Sequence, residues 1–252
     1  MIFRQLGISL LAFWCMPWAH ADTTGYIEYS SLYNDNYVLA AGSADRQSET
    51  VNALSATLVQ STPIGYKTAL LATGGFSQAW YRRFEDLSGP VFFLNGGVHH
   101  RLNYRSTFTG FIGVYRKHRD NAQQDYDGWS ARANFIRQLD RRYWMNGQLF
   151  YEQGAARNLP DDYRGYGLSA WLHRRFENHS MLSGAVTAAN KAYDDPLERD
   201  FNNFQLLTEW LYPFRKQFYT RAGLAYTVAG NSGNYEHRSI IGMFALGYQF
   251  SW

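Results

Sequence analysis

Histidine pairs are the first place to look for metal chemistry in this chain, and their spacing argues against it. His99 and His100 are adjacent in a segment with strand-like alternation. Neighbouring residues of a strand point to opposite faces, so these two imidazoles cannot bind one metal ion. We expect no metal site and no cofactor. Calcium binding by the acidic stretches LPDDY (159–163) and YDDPLERD (193–200) is left open.

Serine–histidine pairs could carry nucleophilic chemistry if a third group oriented the histidine. The nearby pairs are His179 with Ser180, and His237 with Ser239, which share a strand face. Neither pair has a third group placed by the sequence pattern, and the chain contains no G-x-S-x-G nucleophile elbow. We therefore predict that the protein is not an enzyme. A barrel lipid hydrolase with a serine–histidine pair on its outer surface is the less favoured alternative.

A larger set of polar side chains falls on one parity of the predicted strands. Such a set could line a hydrated pore for a hydrophilic solute, or it could form ion-pair ladders that fill a narrow barrel. The bulky residues Trp144, Phe150, Trp171 and Tyr219 share this parity and favour a constriction. The predicted pore-lining residues are Glu28, Asn95, His99, Arg101, Arg132, Asn134, Asn146, Gln148, Glu152, His173, Arg175, Asn203, Gln205, Glu209 and Arg221.

The segments that must position these side chains alternate apolar and polar residues with a period of two, which is typical of strands. The final segment, GMFALGYQFSW, has large apolar residues at every second position, namely Phe244, Leu246, Tyr248, Phe250 and Trp252. The same alternation predicts twelve strands, at about 23–33, 48–60, 66–80, 90–102, 105–118, 126–139, 142–154, 164–176, 179–193, 201–212, 216–229 and 236–252. The parity of the second and third strands stays open.

Turns and aromatic residues suggest where the apolar face points. Five short turns alternate with six longer polar loops, as in outer-membrane barrels. Two aromatic belts are expected at the membrane interfaces. One should contain Tyr143, Phe176, Trp210, Tyr212, Phe218 and Trp252, and the other Trp80, Tyr81, Tyr126, Trp129, Tyr163 and Tyr166. We predict an all-β fold, a transmembrane antiparallel up-and-down outer-membrane β-barrel of about 12 strands spanning residues 22–252. The alternative is a secreted β-sandwich or soluble barrel.

The first residues predict export through the inner membrane. Residues 1–21 combine Arg4, a short apolar core and the small-x-small pattern Ala19-His20-Ala21, as in a secretory signal peptide. Cys15 is the only cysteine, so we expect no disulfide after cleavage. The net charge of +3 gives no footprint for nucleic acid. We expect the protein in the outer membrane, surrounded by lipid and lipopolysaccharide. The terminal aromatic strand would be its signal to the barrel-assembly machinery, and a periplasmic partner is left open.

One resemblance to a known family is carried by the second half of the chain. The stretch RRYWMNGQLFYEQGAARNLPDDYRGYGLSAWLHRRF (141–176) resembles the C-terminal barrel of surface lipoprotein assembly modifiers. Tyr163, Tyr166 and Gly167 fall on that family's Y-x-x-Y-G strand start, and LERDFNNFQLLTEWLY (197–212) continues the pattern. The resemblance implies a barrel related to export or translocation pores. The tetratricopeptide domain of that family is not expected here, because the first predicted strand follows the cleavage site closely.

The function predicted from these patterns is a transport or export pore that moves a solute, a polysaccharide or a polypeptide across the outer membrane. A structural or adhesive barrel with a filled interior is the main alternative.

Overall fold

A closed antiparallel β-barrel of twelve strands forms the protein, as predicted. The computed structural model describes residues 22–36, 47–120, 125–156, 162–194, 201–231 and 236–251. Each predicted strand overlaps one observed strand. The strands are β1 (Asp22–Asn34), β2 (Glu49–Pro63), β3 (Thr68–Tyr81), β4 (Gly89–Arg101), β5 (Ser106–Lys117), β6 (Tyr126–Gln138), β7 (Tyr143–Ala156), β8 (Tyr163–Arg175), β9 (Met181–Tyr193), β10 (Phe201–Pro213), β11 (Phe218–Asn231) and β12 (Glu236–Ser251).

Every strand pairs with its neighbours in sequence, and β1 pairs with β12 to close the barrel. The closing register runs from Thr24 opposite Ser251 to Asn34 opposite Ile241. Closure leaves no unpaired strand edge, which is the condition for a sheet to cross hydrocarbon. At one end of this seam the carboxylate of Asp35 accepts a hydrogen bond from the backbone N–H of Ile240, at 2.6 Å.

Five short turns lie at one end of the barrel, at residues 64–67, 102–105, 139–142, 176–180 and 214–217. Asn and Asp side chains stabilise three of them by accepting hydrogen bonds from the backbone two residues on, a common turn device. The accepting residues are Asn103, Asp140 and Asn178. Hydrogen bonds from the backbone N–H groups of Arg142 and Tyr143 lower the pKa of the Asp140 carboxyl. We call this end of the barrel the turn side and the opposite end the loop side.

A buried carboxylate organises the loop between β3 and β4 on the loop side. Glu49 is 1% exposed, and its two carboxylate oxygens accept hydrogen bonds from the backbone N–H groups of Arg82, Arg83 and Phe84. The loop continues through a short 3-10 helix, Glu85–Leu87. Most of the acidic stretches 159–163 and 193–200 lies outside the described residues, so the calcium hypothesis stays a prediction.

The outer surface is apolar, and the alternation agrees with the predicted faces. Leu149, Leu206 and Leu224 are 59%, 46% and 60% exposed. Many other large apolar residues at outward positions of the strands are also exposed. The structure also shows which residues of the second and third strands face outward, which the sequence left open. Leu54 and Leu58 of β2 and Leu70 and Phe76 of β3 point outward. On β12, Phe244 and Leu246 point outward. Trp252 lies outside the described residues.

The predicted loop-side aromatic belt is wrong for three of its six members. Trp80, Trp129 and Tyr166 are exposed on the outer surface, as expected. Tyr81, Tyr126 and Tyr163 instead lie on the inward parity and are 9%, 4% and 1% exposed. Proximity to a loop could not decide their direction, because it is set by the parity of the strand. No helix among the described residues is long and apolar enough to cross a membrane.

Candidate functional site

The lumen, the space enclosed by the inward side chains, is where the predicted pore-lining residues lie. All fifteen occupy inward positions of their strands. They divide into two groups according to exposure. Asn95, Arg101, Arg132, Asn146, Gln148, Glu152 and Arg175 remain at least partly exposed, whereas Glu28, His99, Asn134, His173, Asn203, Gln205, Glu209 and Arg221 are buried. Their role in lining a pore stays a prediction, because inward position alone does not make a residue part of a path.

Most inward side chains of β8–β12 are packed against one another, and we call this side of the lumen the packed wall. On β8 and β9, Ser169 and Ser183 are each 1% exposed. On β11 and β12, Thr227 is 2% exposed and Ala245 is fully buried. These four side chains are polar or small, so this part of the packed wall is not an apolar core.

A buried ion-pair network crosses the packed wall. Arg221 of β11 donates hydrogen bonds to Glu28 of β1 at 2.5 Å and to Glu209 of β10 at 3.2 Å. The hydroxyl of Tyr219 donates a further hydrogen bond to Glu28, at 3.1 Å. The Arg221 and Glu209 side chains are each 2% exposed. The sequence placed Glu28, Glu209 and Arg221 on one face, but not in contact. The contact with Glu28 depends on closure of β1 against β12, and the contact with Glu209 depends on the register of β10 and β11.

An aromatic and apolar cluster lies below this network, towards the turn side. The His173 ring stacks with the rings of Trp144 and Trp171, at centroid distances of 5.0 Å and 5.9 Å. Met181 and Leu211 pack with Tyr219, and Trp144 packs against that group. Trp144, Trp171 and Tyr219 are therefore packed together on this side of the lumen, and the constriction expected from them stays a prediction.

The opposite side of the lumen is more open, and we call the inward side chains of β4, β5 and β7 the accessible wall. Its central members retain intermediate exposure, from Val91 to Gly97 on β4, from Phe111 to Lys117 on β5 and from Asn146 to Glu152 on β7. Asn95, Gln148 and Glu152 supply polar groups there. The lumen is thus asymmetric, filled along five strands and accessible along others.

Glycines explain how large rings fit on the accessible wall. Phe93 lies directly opposite Gly75, Phe111 opposite Gly97 and Phe150 opposite Gly167. A Cβ atom added to any of these glycines would come within 2.8 Å of the facing ring. Each ring therefore lies over its glycine, close to the barrel wall. Phe150 was expected to narrow the lumen, but the absence of a side chain at Gly167 leaves its ring room to lie against the wall.

A tyrosine–lysine cluster on the loop side was not recognised from the sequence. The hydroxyls of Tyr115 and Tyr163 are 2.7 Å apart, and the Lys117 ammonium donates to the Tyr163 hydroxyl at 3.2 Å. The Lys191 ammonium lies 3.5 Å from the centre of the Tyr163 ring. We call these four residues the mouth cluster. Strand parity could have identified this cluster from the sequence, because all four residues occupy inward positions near the loop-side ends of their strands.

The predicted histidine chemistry can now be placed. His99 points inward and its Nδ1 lies 2.8 Å from the Thr109 hydroxyl, whereas His100 points outward, so the two do not share a site. Among the described residues no group of three or more His, Cys, Asp or Glu side chains could hold a metal ion.

Among the described residues, the serine–histidine pairs do not form an accessible nucleophilic site. Ser239 points into the lumen and is 2% exposed. In the His179–Ser180 turn, the Ser180 hydroxyl donates to Asn178 at 2.7 Å. A pair that the sequence did not suggest joins His173 to Ser183, at 2.9 Å, but each residue is 1% exposed. The His173–Ser183 contact satisfies buried polar groups, and the Ser180 hydroxyl stabilises a turn.

Comparison with known proteins identifies the architecture and no closer relationship. No family model matches the chain, and no curated protein matches it. An outer membrane channel from Pseudomonas putida F1 is similar, with a TM-score of 0.73, 10% sequence identity, and coverage of 94% of this chain and 97% of that one. The KdgM porin is similar with a TM-score of 0.50, 10% identity, and coverage of 89% and 99%.

A third solved structure widens the range of functions found on this architecture. The β domain of the Bordetella autotransporter BrkA is similar with a TM-score of 0.52, 14% identity, and coverage of 92% of this chain and 100% of that one. Identities this low carry the fold and not the function. The chain has the fold of a twelve-stranded outer-membrane β-barrel.

Proposed function

We propose that the protein is an outer-membrane channel for small hydrophilic solutes, with its path along the accessible wall. The observation that carries this proposal is the asymmetry of the lumen. The inward side chains of β4, β5 and β7 keep partial exposure and include Asn95, Gln148 and Glu152. Two of the similar solved structures, the Pseudomonas putida channel and the KdgM porin, are described as a channel and a porin, in agreement with this proposal.

The setting that goes with this function is also part of the proposal. The exposed outward residues, such as Leu149 and Leu224, suit the hydrocarbon of a membrane. Residues 1–21 would act as a signal peptide, and the aromatic face of β12 would be read by the barrel-assembly machinery. Lipid and lipopolysaccharide would contact the outer surface. A periplasmic partner would dock on the short turns.

Export of a polypeptide is less well supported. The resemblance to surface lipoprotein assembly modifiers implies it, and the β domain of an autotransporter shares the architecture. However, the packed wall fills part of the lumen with buried side chains such as Glu209, Arg221 and His173. A channel narrowed in this way suits small solutes better than an extended chain with bulky side chains.

Conductance across a planar bilayer tests the proposed function. The refolded protein should give small, steady single-channel steps. Arg132 lies on the inward face of β6 and Arg137 lies on the outward face of the same strand. Arg132→Ala should therefore shift the reversal potential in a KCl gradient towards cation preference, because a luminal positive charge is lost. Arg137→Ala is the matched control and should leave the reversal potential unchanged.

Two outcomes would count against the proposal. A protein that inserts into bilayers but never conducts would support the filled-barrel alternative. Equal selectivity in the Arg132→Ala and wild-type channels would mean that the path does not pass Arg132. Cleavage of lipid in a parallel assay would instead support the hydrolase alternative.

A further inference from the structure

The mouth cluster combines buried aromatic surface with two positive charges at the loop side of the lumen. Tyr163 is 1% exposed, with one ammonium over its ring and another at its hydroxyl. Lys191 is 5% exposed, whereas Lys117 is partly exposed. Lys117 can therefore reach a solute in the lumen, and Lys191 adds its charge from behind the tyrosine ring.

Glycines on the intervening strands let the two tyrosines meet. Tyr115 reaches from β5 and Tyr163 from β8, and between them lie Gly128 of β6 and Gly154 of β7. A Cβ atom on Gly128 would lie 2.4 Å from Cζ of Tyr115, and one on Gly154 would lie 2.5 Å from Cε1 of Tyr163. Both rings therefore lie along the wall, held by their 2.7 Å hydroxyl contact. This fixed geometry is what a preformed binding surface requires.

A second aromatic residue follows the cluster on the accessible wall. Phe93 of β4 is the direct cross-strand neighbour of Tyr115. Its ring lies over Gly75 on the side away from Tyr115, and both aromatic residues remain partly exposed. A solute in this part of the lumen meets two aromatic rings, with Lys117 two residues beyond Tyr115 on the same strand face.

Among the described inward side chains near the cluster, the charge is positive on balance. Lys117, Lys191 and Arg132 carry positive charge on inward positions, and Glu152 lies within electrostatic range of both Arg132 and Tyr163. One carboxylate among three cations leaves an excess of positive charge. Fixed positive charge in a narrow polar space attracts anions and raises their local concentration.

We propose that the mouth cluster, together with Phe93, binds the carboxylate of a small solute whose body is a flat aromatic ring. The carboxylate is held by Lys117 with the Tyr115 hydroxyl beside it, Lys191 strengthens the local field, and the ring packs on Phe93 and Tyr115. This assignment names the substrate class of the path, so it rests on the proposed channel function for its physiological meaning. Binding itself can be measured whether or not the barrel conducts.

Isothermal titration calorimetry on the full-length mature barrel in detergent micelles tests the assignment. The probes are sodium benzoate, sodium acetate and benzamide, which present the ring and charge, the charge alone, and the ring alone. Benzoate should bind at least tenfold more tightly than either, because only benzoate makes both kinds of contact. Lys117→Met should weaken benzoate binding about tenfold, since a hydrogen bond to a charged group is lost.

Further variants separate charge from packing. Lys191→Met keeps the buried stem against Tyr163 and should weaken benzoate binding about threefold through the lost field. Phe93→Leu should weaken benzoate binding without changing acetate binding, since it removes the flat face. The matched control is Arg116→Gln. Arg116 is next to Lys117 but points outward, where it pairs with Asp127 at 2.7 Å, so benzoate affinity should not change.

The outcomes distinguish this inference from the channel proposal. Equal affinity for benzoate and benzamide, or unchanged benzoate affinity in Lys117→Met, would overturn the carboxylate assignment even if the barrel conducts. Benzoate binding that depends on Lys117 in a barrel that never conducts would retain the site and overturn the channel. If Lys117→Met does not fold, Lys117→Gln offers a second test of the same contact.

Discussion

Replacing Arg221 with methionine removes the cation that links two buried carboxylates, Glu28 and Glu209. The Glu28 side chain is 11% exposed and the Glu209 side chain is 2% exposed, so neither is well solvated. Methionine matches the length of the arginine stem without its charge. Because removal of one partner of a buried ion pair leaves an uncompensated charge, we expect the free energy of unfolding to fall by about 3–5 kcal/mol.

Companion variants determine how much of this loss comes from charge. Glu209→Gln leaves Arg221 paired with Glu28 and should change stability by less than about 1 kcal/mol. Combining Arg221→Met with Glu28→Gln and Glu209→Gln removes all three charges and should recover much of the loss. The three effects should be strongly non-additive, because the side chains share one network.

Urea unfolding of the barrel in phospholipid vesicles, followed by tryptophan fluorescence, measures these differences. The surface pair of Arg142 and Glu177 is the control, since its atoms are 2.7 Å apart, within the range of the buried pairs, but its side chains are 56% and 85% exposed. Glu177→Gln should cost no more than about 1 kcal/mol. If Arg221→Met costs as little as Glu177→Gln, water reaches the network, and the packed wall is hydrated rather than filled.

Two other substitutions test the placement of side chains, each with a neighbour as its control. Leu149→Arg puts a charge on the outer surface, and it should cost about 2–4 kcal/mol in a bilayer, whereas Gln148→Arg on the inward face should cost far less; equal costs would contradict the assignment of the two faces. Gly247→Ala forces a Cβ atom to within 2.0 Å of Cζ of the Tyr219 ring and should lower the urea midpoint clearly, whereas Gly184→Ala has no atom within 4 Å and should not. Equal midpoints for these two variants would mean that the Tyr219 ring moves aside without cost.

The fold could be predicted because apolar residues on the outer face of a membrane barrel recur at every second position of each strand. Outward residues must be apolar wherever lipid touches them, so the alternation of Phe204, Leu206 and Trp210 on β10 was a reliable guide. The same pattern fixed the direction of Arg221 and Glu209. It failed on β2, where Ala53 and Leu54 are both apolar although they point in opposite directions.

Contacts inside the lumen could not be predicted, since they depend on register. The row that places Trp144 beside His173, and His173 beside Ser183, follows from hydrogen-bonded pairing across three strands. A shift of one residue in either pairing would send these side chains to different neighbours. The mouth cluster was missed for the same reason, because Lys117 and Tyr163 are far apart in sequence and meet only when β5–β8 are in register.

The neighbours of large inward side chains differ between the two sides of the lumen. On the accessible wall, Phe93, Phe111 and Phe150 each face a glycine directly across the strand pair, and their rings lie against the wall. On the packed wall, His173 faces Trp144 on one side and Ser183 on the other, so the rings stack. A barrel of twelve strands is intermediate between those that side chains fill and those that leave a channel. Glycine opposite a ring does not keep space free by itself, because Tyr219 faces Gly247 on the packed wall and is still buried. What closes that side is a further large side chain on the ring, as Trp144 lies on His173 and as Met181 and Leu211 pack with Tyr219.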